Sequence, residues 1–420
     1  MGEIGGGGCV ERGVAPRRRR ARATLLVAAL ALVAPLSACD AGLLNVLVDS
    51  YVDGADANEL NGGDNVTSIA LGDDRSLLLI NDPFVGPVNP DGTRQSGYLV
   101  NNALVVFDHE TGGTQTLLGP NRTARFKPAS SNHYYWLSHG VREGTTIHLL
   151  LQERVASTWE IVANAVISLS LPTFTQTGST VTLPASDGKP AWGTTILTIG
   201  SHHYLYGLQP QDVYTLRTVV ARVPTGSLRT LSSWRYWTGT GWSTSQSSAV
   251  PLIDEHGAPL PFLVSSMVVD GGLVTVGSGT VFSDRFIWAA SDGPVDPYTV
   301  GATAYAPPEA HSACGVGATE VVYGAVPHVA SPADASLWSY GRNCWAIPPD
   351  TPSAQVEDYQ PQFINLDLGD APDPCPAPTS TVSDKLIKAA YADFLSITPL
   401  PADLTYWRNH IATTGYCDTP

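Results

Sequence analysis

The sequence predicts an all-β fold, a five-bladed β-propeller followed by a small α-helical hairpin. Three observations lead there. Short runs of branched and aromatic residues, bounded by Gly, Pro, Asp and Asn, fill residues 61–368. Those runs gather into five clusters at similar spacing. A helical period replaces them only after residue 381.

The chain opens on a cationic block, Arg17, Arg18, Arg19, Arg20 and Arg22, followed by an apolar run from Ala23 to Val33. The run breaks at Pro35 and reaches Leu36-Ser37-Ala38-Cys39. A charged region, a short apolar region and small residues before a cleavage point describe a secretory signal, so residues 1–38 are read as a signal peptide. The apolar run is too short for a permanent span, which needs roughly 20 residues. Leu36-Ser37-Ala38-Cys39 resembles the lipobox of bacterial lipoproteins, which implies lipidation of Cys39. The alternative is ordinary cleavage near Ala38, leaving a free thiol that secreted proteins seldom keep. The expected location is the outer face of the cytoplasmic membrane, as a lipoprotein, with secretion as the alternative. Residues 39–57 are read as a tether.

Net charge is −15 over the 420 residues, and losing residues 1–38 removes six Arg and two Glu, leaving the remainder more acidic still. Such a chain is not expected to track nucleic acid phosphates or to bind anionic lipid by charge. Only four of the 23 basic residues are Lys, which with the Ala, Gly and Pro load suggests a GC-rich, actinobacterial source.

Residues 58–368 carry the strands. Ser76–Ile80, Leu99–Phe107, Thr146–Leu151, Thr194–Ile199, Val219–Val223, Leu273–Val276 and Arg285–Ala289 are examples. Such strands suit a sandwich pair, a large barrel or a propeller. The clusters centre on residues 60–110, 130–170, 190–235, 260–300 and 315–368. Each has the length of a four-stranded blade and an aromatic element, such as Tyr134-Tyr135-Trp136, Tyr204–Gly207, Trp288 or Trp338–Gly341. This spacing favours the propeller.

Residues 369–381 form a Pro-rich, Asp-rich linker. Residues 382–420 are read as a helical module. Ser383 can cap a helix with Leu386, Ile387, Ala390, Tyr391, Phe394 and Leu395 on one face. Pro399 and Pro401 end it, and Leu404, Trp407 and Ile411 mark a second short helix. Beyond Cys9 and Cys39, the remaining cysteines are Cys314, Cys344, Cys375 and Cys417, which admit three pairings in an oxidising compartment. Cys314–Cys344 would close the last strand cluster, and Cys375–Cys417 would tie the helices to their linker. A zinc site is the rival reading, but it lacks CxxC or paired-His spacing.

Residues Gly63–Ser68, Leu77–Phe84 and Val100–Val105 together resemble the first blade of a bacterial five-bladed propeller family of unknown function. That family is similar to glycoside hydrolases and includes endo-D-arabinanases. Trp192-Gly193, Ala221–Pro224, Trp237–Trp242, Tyr323-Gly324 to His328 and Tyr340–Asn343 agree in order. The resemblance covers residues 58–368. It departs at Asn81-Asp82-Pro83, where the family has Gly-Asp-Thr, so the carboxylate stays while both neighbours change. Ala390–Leu395 and Asp403–Trp407 are similar to a helical module appended to exported bacterial proteins, without its usual Gly-Arg.

The resemblance implies that Asp64 and Asp82 are the catalytic acids. Hydrolysis of a glycosidic bond usually takes two carboxylates, one protonating the leaving oxygen and one attacking or activating water. Asp82 is expected as nucleophile or base and Asp64 as acid, with the roles interchangeable. As turn residues, Asp64 after Gly62-Gly63 and Asp82 before Pro83 would have no catalytic role. Asn102, Trp136, Trp192, His328, Arg342 and Asn343 are candidate substrate-binding residues, and Trp237 and Trp242 are further candidates for stacking on sugars. Most such aromatics serve a core, and most single histidines are structural. His202-His203 would need distant partners to hold a metal. Nucleotide-loop, HExxH and GxSxG patterns are missing, and no cofactor or metal is expected. The sequence thus suggests a monomeric cell-envelope glycan hydrolase, endo-acting on arabinofuranose polymers of the wall. The competing reading is a non-catalytic surface propeller that binds glycan or an envelope protein.

Overall fold

In the computed structural model of the protein, consecutive antiparallel strands among the described residues form five sheets of three to five strands. The structure describes residues 60–366, apart from 73–74, 95–97, 109–112, 186–189, 211–215, 261–264, 270–271, 279–283, 315–318, 329–336, 346–355 and 357. The signal peptide, Cys39, the Cys375–Cys417 pairing, the linker and the helical module lie outside the described residues.

The first sheet holds β1 (Asp64–Ala70), β2 (Arg75–Asn81), β5 (Asn102–Asp108) and β6 (Thr114–Leu117), with the hairpin β3 (Phe84–Val85) and β4 (Tyr98–Leu99) beside it. The second holds β7 (His133–Glu143), β8 (Thr146–Val155), β9 (Ile161–Ser170), β10 (Thr175–Gln176) and β11 (Val181–Pro184). The third runs through β12 (Ala191–Ile199), β13 (His202–Pro210), β14 (Leu216–Pro224), β15 (Arg235–Trp237) and β16 (Trp242–Ser243). The fourth comprises β17 (Ser265–Val269), β18 (Gly272–Gly277), β19 (Phe286–Ser291) and β20 (Thr299–Tyr305). The fifth comprises β21 (Thr319–Pro327), β22 (Leu337–Trp345) and β23 (Gln362–Asn365). Five of the seven runs read from the sequence fall within these strands, Leu99–Phe107 spans β4 and β5 with a break at residues 100–101, Arg285–Ala289 starts one residue before β19, and each cluster corresponds to one sheet.

The sheets follow one another in a propeller-like cycle. β1 touches β7, β7 touches β12, β12 touches β17, β17 touches β21, and β21 returns to β1. Five apolar cores fill the spaces between neighbouring sheets. This explains why strands such as Leu77–Ile80 are continuously apolar instead of alternating. Leu77 and Leu79 face the second sheet, while Leu78 and Ile80 join the core shared with Phe363 of the fifth. A strand buried on both faces has no solvent side on which to place polar residues.

Polar clamps hold the cycle in register. Asn81 Nδ2 donates to Leu137 O (2.8 Å), and Leu137 N donates to Asn81 Oδ1 (2.7 Å). Asn164 repeats the device, accepting from Trp192 N (2.9 Å) and donating to Pro190 O (3.0 Å). Between the fifth sheet and β1, His328 contacts Ser339 Oγ (2.6 Å) and Ser68 Oγ (3.0 Å) through its two ring nitrogens. The Cys314–Cys344 disulfide ties the loop before β21 to β22.

Candidate active site

Register brings the two acids together. Asp64 begins β1 opposite Asn81, the residue before Asp82. A register shift between Asp64 and Val66 marks a bulge, a device that turns a side chain relative to the regular pleat. Asp82 stands just past the end of β2 with φ 43°, a left-handed conformation that Asp tolerates better than most residues. Its backbone is fixed from both sides: Asp82 N donates to Asn101 O (3.2 Å), and the Tyr359 hydroxyl donates to Asp82 O (3.2 Å).

The Asp82 carboxylate accepts from Trp136 Nε1 at Oδ2 (2.9 Å) and from Asn101 Nδ2 at Oδ1 (3.4 Å). Burial pushes its pKa up, and the nearby charge of Asp64 adds to the effect. Those donors and Arg154 only partly offset them, leaving the group at about 7. Asp64 accepts a hydrogen bond from Tyr323, whose own pKa is driven well up by burial and by the Asp64 charge. Tyr359, also deeply buried, is raised by burial and by the charges of both acids.

A close approach makes room for Asp64. A methyl group at position 341 would lie 2.6 Å from Tyr323 Cε2 and 3.2 Å from Asp64 Oδ1, so Gly341 lets β22 pass directly against both. On the other side, the Arg154 guanidinium lies 4.3 Å from the centre of the Trp136 ring. It is held by Gln152 Oε1 (3.0 Å from Nε) and by Trp159 O (2.8 Å from Nη1). Tyr134 packs edge-on against Trp136 at 5.7 Å.

Of the residues singled out in the sequence, Asp64, Asp82 and Trp136 meet here. Asn102 is elsewhere in role: it is 0% exposed, donates to Phe126 O and Tyr135 O, and accepts from Phe126 N. It is an inter-sheet clamp like Asn164. Trp192 is 0% exposed in the core between the second and third sheets, with Nε1 on Gln246 Oε1 (2.6 Å). Trp237 and Trp242 pair with each other at 5.4 Å on the β15–β16 hairpin. His328 is 2% exposed and bound on both nitrogens. Arg342 points to the face of β22 opposite Gly341 and pairs with Glu320 and Glu309, whereas Asn343 shares the Gly341 face two residues further on.

Asn101, Arg154 and Tyr359 complete the site but carry no distinctive local pattern. Only the register of β5, the β8–β9 hairpin and the return of the chain after β22 bring them in. His203, near the start of β13, contacts Glu143 (2.7 Å) at the end of β7, which also meets His148 (3.1 Å) near the start of β8. Among the described residues no group of three or more His, Cys, Asp or Glu is placed to hold a metal.

The profile of a known domain family matches residues 49–367 of the chain. The chain belongs to that family, described as Domain of unknown function (DUF5005). Among solved structures, this DUF5005 chain is similar to a proposed hydrolase from Bacteroides ovatus, at 17% identity and a TM-score of 0.59, over 79% of this chain and 92% of that one. It also matches a GH43_1 enzyme from Xanthomonas citri complexed with xylotriose, at 14% identity and a TM-score of 0.45, over 77% and 92%. An exo-beta-1,3-galactanase from Phanerochaete chrysosporium matches at 11% identity and 0.43, over 77% and 66%. The Bacteroides match shows a shared fold. No curated protein matches the chain.

Proposed function

We propose that this DUF5005 protein is a glycan hydrolase that cuts with Asp64 and Asp82, acting internally on arabinofuranose polymers of the cell wall. The reading rests on one observation above all. Two carboxylates from neighbouring strands converge, and the environment keeps a proton on one of them close to neutrality. The Bacteroides fold relative is likewise described as a proposed hydrolase. The choice of arabinan rests on the family resemblance of residues 58–368.

The electrostatics favour the reverse of the roles first expected. Asp82, protonated up to about pH 7, is the general acid that gives its proton to the leaving glycosidic oxygen. Asp64 is the carboxylate that attacks the anomeric carbon or takes a proton from the attacking water. Trp136 and Asn101 hold the acid, and Tyr323 holds its partner.

The remaining assignments follow the same reading. The five sheets are blades of a five-bladed propeller spanning residues 58–368. Residues 1–38 export the chain, Cys39 carries the lipid and residues 39–57 tether the propeller to the membrane. Residues 369–381 link it to the helical module of residues 382–420, held by Cys375–Cys417, and the protein works as a monomer on wall polysaccharide.

The test is a pH profile of kcat/KM on an aryl arabinofuranoside. Activity should fall as pH rises through about 7, when Asp82 loses its proton. Asp82→Asn should lower the rate about a hundred- to ten-thousand-fold. A wild-type rate that keeps rising above pH 8, or full activity in Asp82→Asn, would contradict the assignment.

A further inference from the structure

Trp159 stands apart from the other tryptophans. It is 58% exposed, whereas Trp192, Trp234 and Trp338 are almost fully enclosed. Single exposed apolar residues are ordinary, so exposure by itself decides nothing. Three further observations concern its setting. Its backbone takes φ 59°, a region a bulky aromatic rarely adopts and one that costs energy to hold. That conformation is fixed by Trp159 N donating to Val155 O (2.8 Å) and by Arg154 donating to Trp159 O (2.8 Å). The same Arg154 covers Trp136, whose ring lies 6.4 Å from Trp159 and whose Nε1 is bonded to Asp82.

A line of fixed groups therefore runs from the acid to the solvent: Asp82, Trp136, Arg154, Trp159. Trp136 is spent on holding Asp82 and has Arg154 over its ring. Trp159 keeps an open apolar surface at the outer end of that line. Sugar rings present C–H faces that pack on aromatic rings while their hydroxyls stay in water. A surface continuous with the acid pair is suited to a neighbouring residue of the same chain, not to the sugar being cut.

We propose that Trp159 is the stacking platform of a distal sugar-binding subsite, so that the protein acts on glycan chains extending past the cleavage point. The inference rests on the glycan-hydrolase reading and adds a binding residue to it. It makes chain length, more than the identity of the cleaved sugar, the source of affinity.

The experiment measures binding and turnover separately. Arabino-oligosaccharides fractionated by length are titrated into full-length Asp64→Asn protein, with and without Trp159→Ala or Trp159→Tyr. Turnover of the same oligosaccharides and of an aryl arabinofuranoside is followed in Trp159→Ala and Trp159→Tyr alone. Trp159→Ala should weaken binding of long oligosaccharides about three- to tenfold. It should raise KM for them by a like factor and leave the aryl substrate unchanged, and Trp159→Tyr should restore most of the loss. Equal affinity of Trp159→Ala for long chains, with wild-type hydrolysis intact, would overturn the platform and leave the hydrolase reading standing. Absence of both binding and hydrolysis in the wild-type chain would overturn both.

Discussion

At the scale of single residues, Asp82 would link the proposed catalysis to stability. Its raised pKa means the native state holds a proton that the unfolded chain gives up near pH 4. Between about pH 4 and about 7 the stability that Asp82 contributes therefore falls as pH rises. Asn tolerates the left-handed conformation at this position as well as Asp does. Asp82→Asn should accordingly raise Tm at pH 8 and change it little at pH 4, while lowering hydrolysis about a hundred- to ten-thousand-fold. Calorimetry at both pH values checks this, and a lower Tm at pH 8 would show that the ionised carboxylate is stabilised by its setting. Gly341 is the second sensitive position. Gly341→Ala forces Tyr323 or Asp64 to move, so kcat should fall at least about tenfold in a protein that remains folded, as circular dichroism and steady-state kinetics would report.

At the scale of elements, buried amides and a histidine join the sheets, and their loss should cost stability without touching chemistry. Asn102→Ala removes three hydrogen bonds and leaves backbone groups of Phe126 and Tyr135 buried without this partner. A cost of about 2–4 kcal/mol is expected, with kcat unchanged in the fraction that stays folded. Denaturant unfolding beside steady-state kinetics would measure it; a changed kcat with unchanged stability would return Asn102 to the substrate site. Strand positions were legible because apolar runs such as Leu77–Ile80 and turn residues such as Gly72 mark both length and ends. The acids Asp64 and Asp82 were legible through motif order. A buried Asn or His has the same letters as one that binds a ligand, and only the register of its strand against the next sheet places Asn102 and His328 between sheets. Arg154, Tyr359 and Trp159 were not singled out because their neighbours are remote in sequence.

At the scale of the whole molecule, other buried groups respond to pH in the sense opposite to Asp82. Away from the acids, burial lowers the pKa of His148 despite the Glu143 charge. At Glu143 burial works to raise the pKa, but the hydrogen bonds from His203 and Gly226 and the two imidazoles outweigh it and bring it down. Burial takes His139 on β7 down to about 4. Each of these groups binds protons more weakly in the folded state, so each withdraws stability as pH falls below its ordinary value. In Asp82→Asn, where the opposing contribution of Asp82 is gone, Tm should therefore decline from about pH 6.5 toward 4, and its optimum should lie above that of the wild type. A profile flat over that range would contradict the placement of these groups. Incubating the purified protein with arabinogalactan, beside Asp64→Asn and Asp82→Asn, asks whether the paired acids cut wall glycan. Oligosaccharides should be released by the wild type and by neither variant. No release from folded wild-type protein, or equal release by all three, would contradict it.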